Sequence, residues 1–275
     1  AYYFWIETGI YIGCKNNNIP VKLWNKECFM SDEDVKQRVE LNEYKNVFRY
    51  FKKISVYNDL MKKMLIAMDN KNIKKISVNG CPRIYDFINK KKIKKKIKNI
   101  LFLSFNTKQG IPLDERYRNL NWNLTYDKVI EVLNRLSNNR HIKIIIKRKN
   151  MYTYKSSKKI NQSIKVFEGG TAEKFINEAD IIIGQNSGST IESLANGKHV
   201  MVPFFEKNLR LKKYLYNFNK ELIYTSKENI KKSILNLINK KVLFPLNNQK
   251  HKKTITYYLG NNQNTTEKYL RFLRN

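Results

Sequence analysis

The segment that decides the fold is ADIIIGQNSGSTIESLANGKHVMVPFF, residues 179–205. An apolar run over residues 180–185 is typical of a buried strand, and a second run over residues 199–205 predicts another. Between them, a turn of small polar residues leads into a helix over residues 191–196, which Gly197 ends. The order strand, turn, helix, strand predicts a βαβ unit with two parallel strands.

The turn between this strand and the helix is a candidate phosphate site. A helix start presents unpaired backbone N–H groups at the positive end of the helix dipole, and both favour an anion. Open α/β sheets also bind ligands beyond the carboxyl ends of their strands, where this turn lies. The alternative is an ordinary βαβ unit whose hydroxyl groups only cap the helix. The predicted cradle consists of Ser187, Gly188, Ser189 and Thr190, and the preceding Gln185 and Asn186 join the predicted ligand-binding residues.

A second motif lies about a hundred residues earlier. ISVNGCPR, residues 76–83, reads as a strand followed by Gly, x, Pro and Arg. Together with the later strand, the SGST turn, Glu192 and the Gly197-VMVPFF junction, it resembles segments of the GT-B class of glycosyltransferases. The likeness covers roughly residues 45–275 and is strongest to bacterial surface-polysaccharide and capsule transferases. It extends to the related nucleotide-sugar 2-epimerases.

The resemblance implies an α/β fold with two Rossmann-like domains, the second a parallel sheet flanked by helices. We expect residues 1–88 to form the acceptor-side domain, and we expect that domain to be incomplete because the chain starts with Ala and an apolar segment. Residues 89–98 are predicted to be a basic linker, and residues 99–245 to be the nucleotide-sugar-binding domain. Residues 246–275 are expected to be a tail whose helix crosses back to the first domain.

Local patterns supply the remaining elements. Apolar runs predict strands, and capping residues followed by 3.6-residue periodicity predict helices. Their alternation in the second half of the chain predicts a parallel sheet. Strands are expected at residues 53–57, 76–79, 99–105, 142–146 and 163–167, and helices at residues 31–41, 58–69, 126–137, 171–179, 226–239 and 266–274.

The chain is strongly basic, with 54 Lys and Arg against 23 Asp and Glu and a formal net charge of +31. Such a charge is typical of nucleic-acid-binding proteins. Here Lys greatly outnumbers Arg, and Asn and Ile are also abundant, a composition that an AT-rich coding sequence would produce. The lysines are also spread along the chain, which favours solvated faces over one binding patch. We therefore expect no nucleic-acid partner. The run KKKIKKKIK, residues 90–98, is predicted to be an exposed basic helix or the linker, and its alternatives are a solvated face or a contact with anionic lipid.

Metal and redox chemistry find little support in the sequence. The three cysteines are scattered without a CxxC spacing and only three histidines are present, which argues against a structural zinc site and fits a reducing cytoplasm. No acidic pair of the DxD type follows a strand, so we expect metal-independent chemistry and no cofactor. No apolar run reaches the length of a membrane span.

Polar residues follow two other predicted strands. Lys147 and Arg148 end the strand over residues 142–146, where a basic pair could neutralise a diphosphate leaving group. Strand alternation predicts that only one of them points inward, and the alternative is a surface cluster. Asn106 and Thr107 follow the first strand of the same domain and are expected to face the same cleft.

The resemblance implies three further site residues. Glu192, one helical turn past the cradle, would bind a ribose or donor-sugar hydroxyl, although it would also favour the helix N-terminus through the dipole. Arg83 would lie near the interdomain cleft, with a structural loop role as the alternative. Glu7, after the apolar residues 2–6, is the best-placed carboxylate for the general base that an inverting transferase needs. His141 and His199 are weaker candidates for that base.

The sequence therefore predicts a nucleotide-sugar-dependent glycosyltransferase. Its expected partners are a nucleotide-sugar donor and a surface-glycan or lipid-linked acceptor. Its expected location is the cytoplasm, with peripheral contact at the inner face of an anionic membrane. Three alternatives stay open: a CDP-polyol phosphotransferase of the teichoic-acid type, a nucleotide-sugar 2-epimerase, and a non-catalytic module that binds polyanions.

Overall fold

The contacts in a computed structural model divide the chain into two compact units. One comprises Ala1–Asp86 with Lys253–Asn275, and the other comprises Phe87–Lys252. Among the residues that the structure describes, no helix combines the length and apolarity needed to cross a bilayer. The described residues are 11–24, 30–41, 51–82, 93–105, 107, 122–148, 156–207, 209–246, 249–261 and 263–274.

The first unit contains a small parallel sheet. Its strands β1 (Lys22–Trp24), β2 (Lys53–Val56) and β3 (Ile76–Val78) lie in the order β1-β2-β3. Parallel neighbours need crossover connections, and a helix follows each of the first two strands. These helices are α1 (Asp32–Glu40) and α2 (Asp59–Met68).

Local sequence explains where both helices begin. Ser31 accepts a hydrogen bond from the Asp34 backbone N–H while the Asp34 carboxylate accepts from the Ser31 backbone, a reciprocal capping box. Asn58 caps α2 by accepting from the Met61 backbone N–H at 2.9 Å. The buried side chains of α2 recur three and four residues apart, so one face packs into the core. They are Met61, Met64, Leu65 and Met68.

The end of the chain adds helices α7 (Lys252–Leu259) and α8 (Thr265–Arg274). The Cys81 N–H donates to the Leu259 carbonyl at 2.8 Å, which ties α7 to the segment after β3. Gly260 joins the two helices with a φ of +74°, and a Cβ there would lie 1.9 Å from the Tyr57 carbonyl oxygen. Only glycine fits this left-handed position and close approach.

The second unit is built on a parallel sheet of six strands, in the order β10-β9-β8-β5-β6-β7. The chain starts at the centre, moves outward through β6 and β7, then returns to the other side of β5 for the remaining strands. This is the doubly wound Rossmann order. The strands are β5 (Asn99–Leu103), β6 (Lys143–Arg148), β7 (Lys165–Glu168), β8 (Ile181–Ile183), β9 (His199–Pro203) and β10 (Ile223–Tyr224).

Four helices accompany this sheet: α3 (Asn123–Leu136), α4 (Glu173–Glu178), α5 (Gly188–Ala195) and α6 (Lys227–Ile238). Every residue of β8 and all but the first of β5 are buried, as continuous apolar strands covered on both faces should be. The helix predicted over residues 171–179 is shorter than expected. Its observed N-cap is Ala172, which makes no side-chain cap bond, and the helix starts two residues later than predicted.

The basic segment before β5 differs from expectation. Ile93–Lys96 forms β4, which pairs antiparallel with β11 (Lys241–Phe244), and Lys96 lies opposite Lys241. The lysine-rich composition had indicated a helix or linker, but strand pairing with a distant segment overrides that local pattern. Ile97, directly after the strand, is 2% exposed and joins the core.

Candidate functional site

The doubly wound sheet has its switch point between β5 and β8. From these neighbouring strands the chain leaves in opposite directions along the sheet, which opens a crevice at their carboxyl ends. A pocket of about 330 Å³ lies at this edge. It is lined by the ends of β5 and β6, the turn after β7 and the start of α5. A pocket of this size and position suits a small ligand.

The start of α5 contributes hydrogen-bond donors to the pocket. Ser187 is the N-cap, in an extended conformation, and its Oγ accepts from the Ser189 N–H at 3.3 Å. Its carbonyl accepts from the Thr190 N–H at 3.0 Å. No hydrogen bond from the Gly188 N–H to another described residue is present. Ser187 and Ser189 both line the pocket, whereas the predicted Gly188 between them is not among the lining residues, so two serines line the pocket at the positive end of a helix.

The turn between β8 and α5 is closely packed against the buried side chain of Thr190. Thr190 is fully buried, and a Cβ added to Gly184 would lie 2.6 Å from its Oγ1. The small residue at the end of β8 therefore lets α5 start close to the strand. This contact gives Thr190 a positioning role, and a direct bond from its hydroxyl to a ligand stays a prediction.

Gln185 and Asn186 fix the neighbouring segments. Gln185 is 1% exposed, and its Nε2 donates to the Pro203 carbonyl at 2.9 Å. The Asn186 amide donates to the Tyr214 carbonyl and accepts from the Tyr216 N–H at 2.9 Å. Both side chains brace the turn against β9 and the segment that follows β9. Their predicted contact with a ligand remains untested.

Two basic residues from the end of β6 line the opposite wall. Lys147 is 6% exposed, and burial lowers the pKa of its ammonium group. Its Nζ donates to the Arg148 carbonyl at 2.9 Å. The Arg148 Nη1 lies 2.9 Å from Glu168 Oε1. Strand alternation had predicted that one of the pair points inward, whereas both residues line the pocket.

Five residues that line the pocket were not among the predicted site residues: Leu103, Ser104, Gly169, Gly170 and Ala172. The Ser104 N–H donates to the Lys147 carbonyl at 3.0 Å, which continues the β5–β6 pairing to the edge of the pocket. Gly169 and Gly170 form the turn after β7 with φ values of +72° and +67°. Both values are left-handed, which favours glycine. The signal was present in the sequence as a Gly-Gly pair directly after a strand.

Other predicted site residues lie elsewhere or are not described. Thr107 is 2% exposed and its carbonyl accepts from the Trp122 N–H at 2.9 Å, which places it in the connection to α3. Glu192 lies in the first turn and a half of α5 and is not among the residues that line the pocket. Glu7, Arg83 and Asn106 lie outside the described residues, so the predicted base and cleft contacts stay predictions.

The electrostatics of this pocket favour an anion. Its described lining contains two basic side chains and no carboxylate, and a helix N-terminus adds partial positive charge, while Glu168 next to the lining already pairs with Arg148. The described part of the chain contains no group of three His, Cys, Asp or Glu side chains that could hold a metal ion. The arrangement can therefore bind phosphate through backbone N–H groups, hydroxyl groups and ammonium or guanidinium charge.

Two solved structures resemble this fold over nearly the whole chain. UDP-GlcNAc 2-epimerase from Methanocaldococcus jannaschii is 13% identical with a TM-score of 0.52, over 96% of this chain and 72% of that one. UDP-GlcNAc 2-epimerase from Neisseria meningitidis, solved bound to UDP-GlcNAc, is 12% identical with a TM-score of 0.51, again over 96% and 72%. No protein-family model matches the chain, and no curated protein matches it in sequence.

Identity this low establishes the fold and nothing finer. The similar structures are two-domain Rossmann-like proteins of the GT-B type. The chain therefore has an α/β fold of the GT-B type, with parallel sheets flanked by helices, as the sequence predicted. The structure thus defines an α/β protein with a GT-B fold whose second unit has an anion-favouring pocket at its switch point.

Proposed function

We propose that the protein is a metal-independent glycosyltransferase that uses a nucleotide-sugar donor. The observation that carries this proposal is the pocket at the switch point, where the open start of α5 faces Lys147 and Arg148. Such a site fits the diphosphate of a nucleotide sugar. The acceptor in this proposal is a surface glycan or a lipid-linked glycan.

The proposed chemistry is displacement of the nucleotide from the anomeric carbon of the sugar. The acceptor oxygen forms a bond to that carbon as the bond to the diphosphate oxygen breaks, and negative charge builds on the departing diphosphate. Fixed positive groups in a partly buried pocket stabilise that charge without reorganising. Lys147 suits this role because its ammonium is already stripped of most water.

The second candidate is a nucleotide-sugar 2-epimerase, which the names of the two similar structures favour. That reaction needs groups that remove and return protons at a sugar carbon. The described lining of the pocket offers hydroxyl and basic side chains but no carboxylate or imidazole. An inverting transferase also needs a group that accepts a proton, so product analysis rather than this lining separates the two candidates.

Nucleotide-induced thermal stabilisation tests the proposal. CMP, CDP, UDP, GDP and dTDP would each be added with and without magnesium, and a ligand at 100 times its dissociation constant stabilises by about 2.7 kcal/mol. We expect one nucleotide to raise the melting temperature selectively and independently of magnesium. Failure of every nucleotide, together with salt-sensitive binding of polyanions, would contradict the proposal and support a polyanion-binding module.

Product analysis separates the two enzymatic candidates. The protein would be incubated with the nucleotide sugar that matches the selected base, and the products separated by chromatography. A transferase releases free nucleoside diphosphate, by transfer or by slow hydrolysis. An epimer of the sugar still attached to its nucleotide, without such release, would instead establish the epimerase.

A further inference from the structure

A second pocket, of about 450 Å³, lies in the same unit, and among the described residues it shares no lining residue with the first. It is enclosed by the end of α5, the start of β9, the second half of α6 and the segment around residue 250. Side chains such as Leu194, Met201 and Leu237 give it apolar walls. The nucleotide-sugar donor proposed above would occupy the first pocket, so it does not account for this second one.

Two imidazole groups line the pocket with unsatisfied nitrogens. His251 is 3% exposed, and its Nδ1 has no hydrogen-bond partner among the described residues. The Oε1 of Glu221 lies 3.8 Å from that atom, beyond hydrogen-bond distance. The Nε2 of His199 is likewise buried without a partner in the described structure. An unpaired buried polar atom costs about 1–3 kcal/mol, so both imidazoles, whose residues line this pocket, would gain from a hydrogen-bonding partner there.

Both imidazoles are neutral near pH 7. Burial is the main cause that lowers the pKa of His199, to about 4; the charge of Asp180 opposes this shift and that of Lys250 adds to it. Burial and Lys250 also lower the pKa of His251. A neutral imidazole carries one donor and one acceptor nitrogen, so it pairs with a group that can play either role.

The charged groups of the pocket have mixed signs. Lys198 and Lys250 bring positive charge and Glu221 brings a carboxylate. The Nζ of Lys198 already donates to the Asn177 carbonyl at 2.8 Å and to the Ala179 carbonyl at 2.6 Å. A multiply charged anion would meet the carboxylate and a cation would meet the lysines. The mixture favours an uncharged ligand with many hydrogen-bonding groups.

We propose that this pocket binds a neutral polyhydroxyl compound, a sugar or a polyol. Hydroxyl groups both donate and accept, so they can satisfy His199, His251 and the carboxylate of Glu221 together. The amide of Asn236 and the hydroxyl of Ser233 add partners, and the C–H face of the ligand packs on the apolar walls. A volume of about 450 Å³ lies within the range of small-molecule sites. This site does not depend on the nucleotide pocket.

The three histidines of the chain provide a direct test. Imidazole resonances of the full chain would be followed by nuclear magnetic resonance during titration with glucose, N-acetylglucosamine or glycerol. We expect at least one compound to shift the His199 and His251 signals saturably. The exposed His141 should not respond. A response to the sugars but not to glycerol would identify a sugar site. A response to glycerol but not to the sugars would identify a polyol site.

A pocket-filling variant supplies the control. Ser233→Trp should abolish both shifts. If this larger residue disturbs folding, the milder Asn236→Ala takes its place and should weaken binding at least fivefold. Saturating nucleotide should not displace the ligand, which separates this proposal from the function proposed above. No saturable shift with any of the three compounds, or an equal shift of all three histidines, would overturn the proposal and leave a water-filled cavity.

Discussion

The backbone N–H of Thr125 donates a hydrogen bond to the Glu206 carboxylate, with 2.8 Å between Thr125 N and Glu206 Oε1. Thr125 lies in the first turn of α3, and Glu206 follows β9 at the same edge of the sheet. The protein thus supplies its own anion to the N-terminus of α3. The start of α5, at the same edge, has hydroxyl caps and no carboxylate. Of these two helix starts, only that of α5 is left for an external anion.

Glu206→Gln should reduce the stability of the protein without changing nucleotide binding. The neutral amide loses the charge–dipole interaction with α3, and we expect the free energy of unfolding to fall by about 0.5–1 kcal/mol in urea titrations. Glu178→Gln is a suitable control because Glu178 is exposed at the end of α4. Equal stability of the Glu206→Gln variant and the wild type would show that this contact contributes nothing.

Ser187→Ala and Ser226→Ala form a matched pair of cap removals. Ser226 Oγ accepts from the Asn229 N–H at 3.2 Å at the start of α6, as Ser187 Oγ does for Ser189 in α5. Each substitution should cost about 1 kcal/mol of stability. Only Ser187→Ala, alone or with Ser189→Ala, should also reduce the thermal shift caused by nucleotide. If both cap variants bind nucleotide equally well, the cradle has no role in binding.

Gly184→Ala should disturb both stability and binding. The new Cβ would lie 2.6 Å from Thr190 Oγ1 and 3.5 Å from Leu103 Cβ. Overpacking of this kind costs about 1–3 kcal/mol, and it would displace the start of α5. Thr190→Ala removes the clashing atom, so the double variant should recover part of the loss in urea titrations. Simple additivity of the two single effects would argue against this contact.

His199 should make the protein less stable as the pH falls. Its pKa is about 4 in the folded state against an ordinary value of 6.5, so the unfolded state binds the proton more readily. The contribution is fully present above pH 6.5 and is lost as the pH falls toward 4, by at most about 3 kcal/mol. His199→Gln should flatten this part of the profile in urea titrations at pH 4.5 to 7.5. His141→Gln, at an exposed site, should not, and identical profiles for both variants would refute the prediction.

Local sequence patterns predicted the strand and helix that flank the pocket at the switch point. The apolar run before Gly184 and the small polar turn before α5 predicted the βαβ unit. Both patterns extend over only a few consecutive residues, so the sequence alone shows them. The helix starts at Ser31, Asn58 and Ser226 were predicted for the same reason, since a cap and its backbone partner are neighbours in sequence. The parallel direction of the strands in the second unit followed from their alternation with helices.

Long-range contacts account for what the sequence did not predict. Glu206 lies 81 residues after Thr125, and nothing near either residue indicates the bond. β4 depends on pairing with β11, whose residues lie far along the chain. The Asn186 amide donates to the carbonyl of Tyr214, 28 residues further along the chain, and no local pattern indicates this bond. Each case depends on a partner that only the fold brings close.

Calorimetric titration of the selected nucleotide into Lys147→Met and Lys143→Met tests the central claim most directly. Lys147 is buried beside the pocket, whereas Lys143 is exposed at the other end of the same strand. Removing a buried ammonium also removes its desolvation penalty, so Lys147→Met should retain or raise the free energy of unfolding. We predict that Lys147→Met weakens nucleotide affinity at least tenfold, a loss of about 1.4 kcal/mol, and that Lys143→Met leaves it unchanged. Unaltered affinity in a folded Lys147→Met protein would contradict the assignment of this pocket to the nucleotide diphosphate.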